Sequence, residues 1–409
     1  MSYTTLVNVD ADTAVKLIDF IGNLTSDDAF KTKCNGLIEK SNGGELIELI
    51  LSKESAIFGM EDELEIEGCV QTIVSVMLMF GVESDNIVQK FVSALVAKKG
   101  GDEDKVMLRL KLLVILFNML SLAESKFAVI CAIFNYALET NQEAEVVPFL
   151  DRGEKWAAAW KVDDSKRQQL ALAIYKVADK VARSEEDISK GASNGGGLTT
   201  GASKNALKFL LSYLKSFPSG ANLPDEAIQV TLPILVNSLK GSASSFEQRN
   251  ALLEGLRGSP AGTNASEPLK SLIALLEIVC TGNQAQYDAF VKGSAGQKAM
   301  KEHGLNEADL AGTMRVLNLG ALAAAKPRLT YAEISSALSL SSLDEVEMLV
   351  VEAIAQGVLE ATMDQFDQVI TITKSSHSTF GMAQWSELQI RLKALRANVS
   401  AVYDEIVKS

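Results

Sequence analysis

Two histidines, His303 and His377, and four cysteines, Cys34, Cys69, Cys131 and Cys280, are the side chains best suited to catalysis or metal binding. A zinc site needs three or four His, Cys or carboxylate ligands converging at short, regular spacings. The two histidines are far apart, and no cysteines form a Cys-x-x-Cys pair. The pattern predicts no metal site, no cofactor and no enzymatic activity. A Ser-His-Asp triad could be drawn through Ser375-Ser376-His377-Ser378, but nothing there resembles a nucleophile elbow. A hydrogen-bonding histidine at the end of a strand is the plainer reading. The glycine-rich stretch 189–203 lacks the Gly-Lys-Ser/Thr ending of a phosphate loop, since Lys204 follows Gly201-Ala202-Ser203 at the wrong spacing. Gly195-Gly196-Gly197 follows no strand, which excludes a dinucleotide fingerprint. The cysteines read as small buried hydrophobes in a reducing, cytoplasmic setting.

The formal charge of -13 over 409 residues opposes a role built on phosphate contacts, which need clustered Lys and Arg. Glu61-Asp62-Glu63-Leu64-Glu65-Ile66-Glu67 is the densest acidic run and reads as a solvated loop or helix start. Asp10 and Asp12 stand where a signal peptide would carry basic residues, and the most apolar stretches, 70–82 and 110–120, are too short to span a bilayer. No membrane partner is expected.

The elements that would position any site are helices. Leu108, Leu112, Ile115 and Leu116 recur at i, i+4, i+7, i+8, and so do Phe127, Ile130, Cys131 and Phe134 at their own helical spacing. A succession of helices is predicted between residues 11 and 323, among them 153–159 and 163–183, with prolines lying between them. Neighbouring helices would form stacked hairpins, each covering the apolar face of the last. A globular helical bundle is the competing arrangement. The stretches 189–203 and 241–268 are too rich in Gly, Ser and Thr to pack and read as flexible insertions, the second holding a short helix near 246–256.

After residue 325 the pattern changes. Thr330 and Glu333 form a capping box, Ser342 and Glu345 a second, and Gly357 stops the second helix. Ile334 and Leu338 share one face; Val346, Leu349, Val350 and Ile354 are expected to point inward. Two β-prone runs, 358–363 and 369–373, flank a five-residue loop, 364–368. Helix, helix, helix, hairpin is a winged helix. Its third helix carries Asp344, Glu345, Glu347 and Glu352 and no Lys or Arg from 342 to 357, so groove reading of DNA is disfavoured. Contact with RNA elsewhere, at Lys98-Lys99 or on the basic part of the last helix, stays open.

The final segment, 382–408, is one helix with Trp385, Leu388, Leu392, Leu395, Val399, Val402 and Ile406 in alternating steps of three and four. A narrow apolar seam of this kind suits a bundle with helices of other chains; packing back on the winged helix is the alternative.

Helical hairpins followed by a winged helix resemble the PCI family of scaffold subunits, found in the proteasome lid, the signalosome and translation initiation factor 3. The residues Leu329-Thr330-Tyr331-Ala332-Glu333-Ile334, Val346-Glu347, Val358 and Ile370-Thr371-Ile372 carry the likeness. The block Ser376-His377-Ser378-Thr379-Phe380-Gly381 with Gln384-Trp385, and the pair Trp156 and Trp160 after Lys155, favour the initiation-factor branch over the lid or signalosome. The resemblance implies a mainly α fold: a right-handed helical-repeat solenoid (1–305), a winged-helix PCI module (306–378) and a C-terminal bundle helix (382–408). It implies a non-catalytic scaffold whose partners are the other PCI and MPN subunits of that factor and, through the complex, the small ribosomal subunit. It also implies that winged-helix edges pair between subunits. A winged-helix nucleic-acid-binding protein remains the alternative from another class.

Overall fold

A computed structural model describes residues 11–97, 105–192, 201–218, 223–241, 243–257, 259, 267–281, 284–375 and 382–408. The chain divides into two compact units, Met1–Ser216 and Phe217–Ser409.

The first unit is built from α1 (Ala11–Thr25), α2 (Asp28–Glu39), α3 (Gly43–Leu51), α4 (Glu54–Phe58), α5 (Glu63–Met79), α6 (Asp85–Val96), α7 (Val106–Met119), α8 (Ala123–Thr140), α9 (Glu143–Ala159), α10 (Asp164–Ala192) and α11 (Gly201–Lys215). Most helices touch the next in sequence, and many also touch the one after that: α8 packs on α6, α7, α9 and α10. This is the contact pattern of stacked helical repeats. Phe127, Ile130 and Phe134 of α8 and Leu170, Ile174 and Val177 of α10 are buried, as their helical spacing predicts. The acidic run is a helix start: Asp62 accepts from the Leu64 amide at 2.9 Å, and Glu63 opens α5.

Several boundaries differ from expectation. Helix α9 begins at Glu143 rather than 153 and runs through Pro148. The proline forfeits one intrahelical bond, but Val146 and Leu150 on either side of it are buried, and that burial outweighs the loss. Helix α10 continues to Ala192, and α11 begins at Gly201, so both ends of the stretch read as a flexible insertion are helical. Arg183, Glu185 and Glu186 are good helix formers, and a helix needs no apolar face to close its own backbone bonds. Residues 193–200 lie outside the described residues.

The second unit holds α12 (Asp225–Lys240), a 3₁₀ turn (Ala243–Ser245), α13 (Phe246–Arg257), α14 (Glu267–Thr281), α15 (Gln284–Lys292), α16 (Ser294–Glu302) and α17 (Glu307–Ala325). There follow β1 (Arg328–Thr330), α18 (Tyr331–Leu338), α19 (Leu343–Ala355), β2 (Leu359–Asp364), β3 (Val369–Ser375) and α20 (Met382–Lys408). The three strands form an antiparallel sheet in the order β1-β3-β2, with Leu329 opposite Ile370 and Thr362 opposite Thr371. Helix α17 packs on α18, α19 and β3, and α19 packs on β2. Three helices and a three-stranded sheet make the expected winged helix. Strand β1 was not anticipated, and the hairpin loop has four residues, 365–368, rather than five.

Candidate partner-binding surface

The winged helix is locked by its caps. Thr330 Oγ1 accepts from the Glu333 amide at 3.2 Å, and Glu333 accepts from the Thr330 amide at 2.9 Å, completing the capping box. Lys326 pairs with the same carboxylate at 2.7 Å. The ammonium first, then the Thr330 amide, holds the Glu333 carboxyl down at about 2. The second box is displaced. Ser342 caps the Glu345 amide at 3.2 Å, but the Glu345 carboxylate reaches mainly one residue further back, to the Ser341 amide at 2.9 Å and hydroxyl at 3.0 Å. Gly357, at φ +70°, ends α19: its amide and that of Val358 donate to Ile354 and Ala353.

Helix α19 buries Val346, Leu349, Val350 and Ala353. Ile354, expected inside, is exposed. Position 353 lies closer than 354 to the centre of the face set by 346, 349 and 350, so the smaller residue is taken in. Glu347, next to buried Val346, is held at both oxygens: Tyr331 Oη donates at 3.2 Å and Gln365 Nε2 at 2.8 Å. One carboxylate thus ties α18, α19 and the wing turn together. Leu343, Met348 and Val351 of α19 and Phe366 of the wing turn are exposed, Met348 at 73% and Phe366 at 96%. Sequence reasoning missed this surface, although Met348 and Val351 falling off the buried face, and an aromatic in a turn, were its signals.

In α20 the side chains of Trp385, Leu388, Leu392, Leu395, Val399 and Val402 are all exposed, Trp385 at 57% and Leu392 at 55%. Ile406 belongs to the helix, but its side chain lies outside the described residues. Among the described residues no side chain of α20 is buried. Trp385, Leu388 and Leu392 lie beside Lys393 and Arg396 on one side of α20.

The other sequence candidates fall apart spatially or lie elsewhere. Trp156 and Trp160 stack with centroids 6.0 Å apart, and Phe117 lies 4.9 Å from Trp156, so this pair belongs to the first unit's packing between α7 and α9. His303 caps the C-terminus of α16. His377, the 376–381 block and Lys98-Lys99 lie outside the described residues. All four cysteines are unpaired thiols; burial pushes Cys69 and Cys131 up to about 12 and Cys34 and Cys280 to about 11. Among the described residues no His, Cys, Asp or Glu cluster could hold a metal ion, and no helix is long and apolar enough to cross a membrane.

Comparison with known proteins agrees with this geometry. Residues 295–374, which span α17, α18, α19, β1, β2 and all but the last residue of β3, match the PCI domain. The chain is 28% identical over 303 residues to eukaryotic translation initiation factor 3 subunit M of Phaeosphaeria nodorum, covering 73% of this chain and 62% of that relative. It is 24% identical to the subunit M of Nematostella vectensis, covering 86% and 88% of the two chains. It is 22% identical to that of Xenopus laevis, covering 90% of each. The chain thus spans less than two thirds of the fungal relative but nearly all of the two animal ones.

Proposed function

We propose, with residues 295–374 a PCI domain, that this chain is a non-catalytic scaffold subunit of translation initiation factor 3, working in the cytoplasm. Its partners are the other PCI and MPN subunits of that factor and, through the assembled complex, the small ribosomal subunit. The working division is 1–305 as repeat region, 306–378 as winged helix and 382–408 as the helix that enters a bundle.

The observation that carries the reading is the uncovered apolar row of α20, Trp385 to Val402. A helix with such a row gains by burying it, at roughly 1.5–3 kcal/mol for each large apolar side chain taken fully out of water. The likeness to relatives named subunit M over most of the chain supports the choice of complex. The edge strand β2, whose outer side meets no other strand of this sheet, offers a second place for a neighbouring winged helix.

Affinity purification of the tagged chain from its native source, with mass spectrometry of what co-elutes, tests the reading. Initiation-factor subunits in stoichiometric amount are expected. Recovery of proteasome-lid or signalosome subunits instead would overturn it.

A further inference from the structure

The third helix of a winged helix is the one that enters a DNA groove in the DNA-reading members of this architecture. Here that helix presents a different surface. Leu343, Glu347, Val351 and Ile354 follow one another in steps of four, four and three, which lines them up along one side of α19. The three apolar members are exposed, and so is Met348 on the adjoining arc.

The wing extends this surface with a fixed aromatic. Asp364 Oδ1 accepts from the Phe366 amide at 3.0 Å and the Asp367 amide at 3.1 Å, so the turn is closed by its own side chain. The bond from Gln365 to Glu347 holds that turn against α19. Phe366 is therefore projected into solvent from a braced turn, which lowers the entropy lost when a partner covers it.

The charge around the patch has one sign. Residues 329–373 contain eight carboxylates and no Lys, Arg or His. Lys326 pairs with Glu333, Lys374 with Glu360, and Arg315 of α17 acts on Glu345. Asp344, Glu347, Glu352, Asp364 and Asp367 have no cationic partner among the described ion pairs.

We propose that the exposed side of α19 and the wing turn dock a basic amphipathic helix of another protein. Its apolar side chains would cover Val351, Ile354 and Phe366, and its Lys and Arg would meet the carboxylate rim. A phosphate backbone and an anionic membrane are repelled by this rim, and so is the same face of a second copy. The site is separate from the α20 seam and does not depend on which complex the chain joins.

The test uses the purified full chain and a fluorescent helical peptide of leucine and lysine, with leucines at i, i+3, i+4 and i+7. Its control has the leucines replaced by serine at equal charge. The chain is expected to bind the first peptide, and the control about tenfold more weakly or worse. Val351→Asp and, separately, Phe366→Ser are each expected to weaken binding about tenfold, with an unchanged melting temperature because both side chains face solvent. Phe366→Ser stands as the decisive variant should Val351→Asp unfold. Equal binding of the two peptides, or undiminished binding by Phe366→Ser, overturns the proposal. So does preferential binding of a single-stranded RNA, of anionic vesicles, or of a second copy through this face.

Discussion

The Tyr331 hydroxyl donates to the Glu347 carboxylate at 3.2 Å, across the angle between two helices of the winged helix. Tyr331 is buried, and burial first, then the neighbouring carboxylate, raises its phenol above the ordinary value. The other oxygen of Glu347 takes Gln365, so one side chain sets the wing against the helix it overhangs.

Replacing Glu347 with Ala is expected to loosen this junction by about 1–2 kcal/mol, because a buried phenol loses its acceptor. Hydrogen exchange of the α18 and wing amides in the full chain should accelerate. A double-mutant cycle with Tyr331→Phe should show coupling between the two residues; strictly additive effects would mean the bond contributes nothing.

Glu333 gives the winged helix an acid-sensitive lock. Its folded-state value of about 2 lies below the ordinary 4.5. Its contribution is therefore complete above about pH 4.5 and fades as pH falls through 2, because the unfolded chain takes up the proton first. Denaturation midpoints measured from pH 5 downward should fall more steeply for the native chain than for Glu333→Gln. Parallel curves would show that Lys326 and the Thr330 amide do not hold the carboxylate.

Joint replacement of Leu392 and Leu395 by Asp is expected to release the chain from its complex, since each carboxylate buried in an apolar bundle costs several kcal/mol. Both residues are exposed in the chain by itself, so its helicity and melting temperature should stay unchanged. Normal co-purification of the double variant would remove the seam from the interface.

The four thiols should resist alkylation at pH 8 in the native chain and react together only on denaturation. Values of about 11 to 12 leave almost no thiolate, and Cys34, Cys69 and Cys280 are buried as well. Rapid labelling of one cysteine in the folded protein would contradict that.

Much of the architecture was legible from local patterns. The helical spacing of apolar residues located most helices, and the pair Thr330 and Glu333 marked the start of α18 because a capping box is completed within four residues. The acidic third helix was equally plain, since charge needs no neighbour to be counted. Strand β1 was not visible: Arg328-Leu329-Thr330 is too short to show alternation, and it is a strand only because β3, some forty residues later, supplies its hydrogen-bond partners.

What the amino-acid order determined alone is therefore whatever closes within a turn or two of helix: period, caps, stops, and the narrow apolar row along α20. Tertiary structure decided which side of each element is covered. Ala353 turned inward and Ile354 outward, Pro148 was carried inside α9, and α19 and Phe366 were left bare. Burial depends on what distant segments bring to a face, and periodicity along one segment holds no record of them.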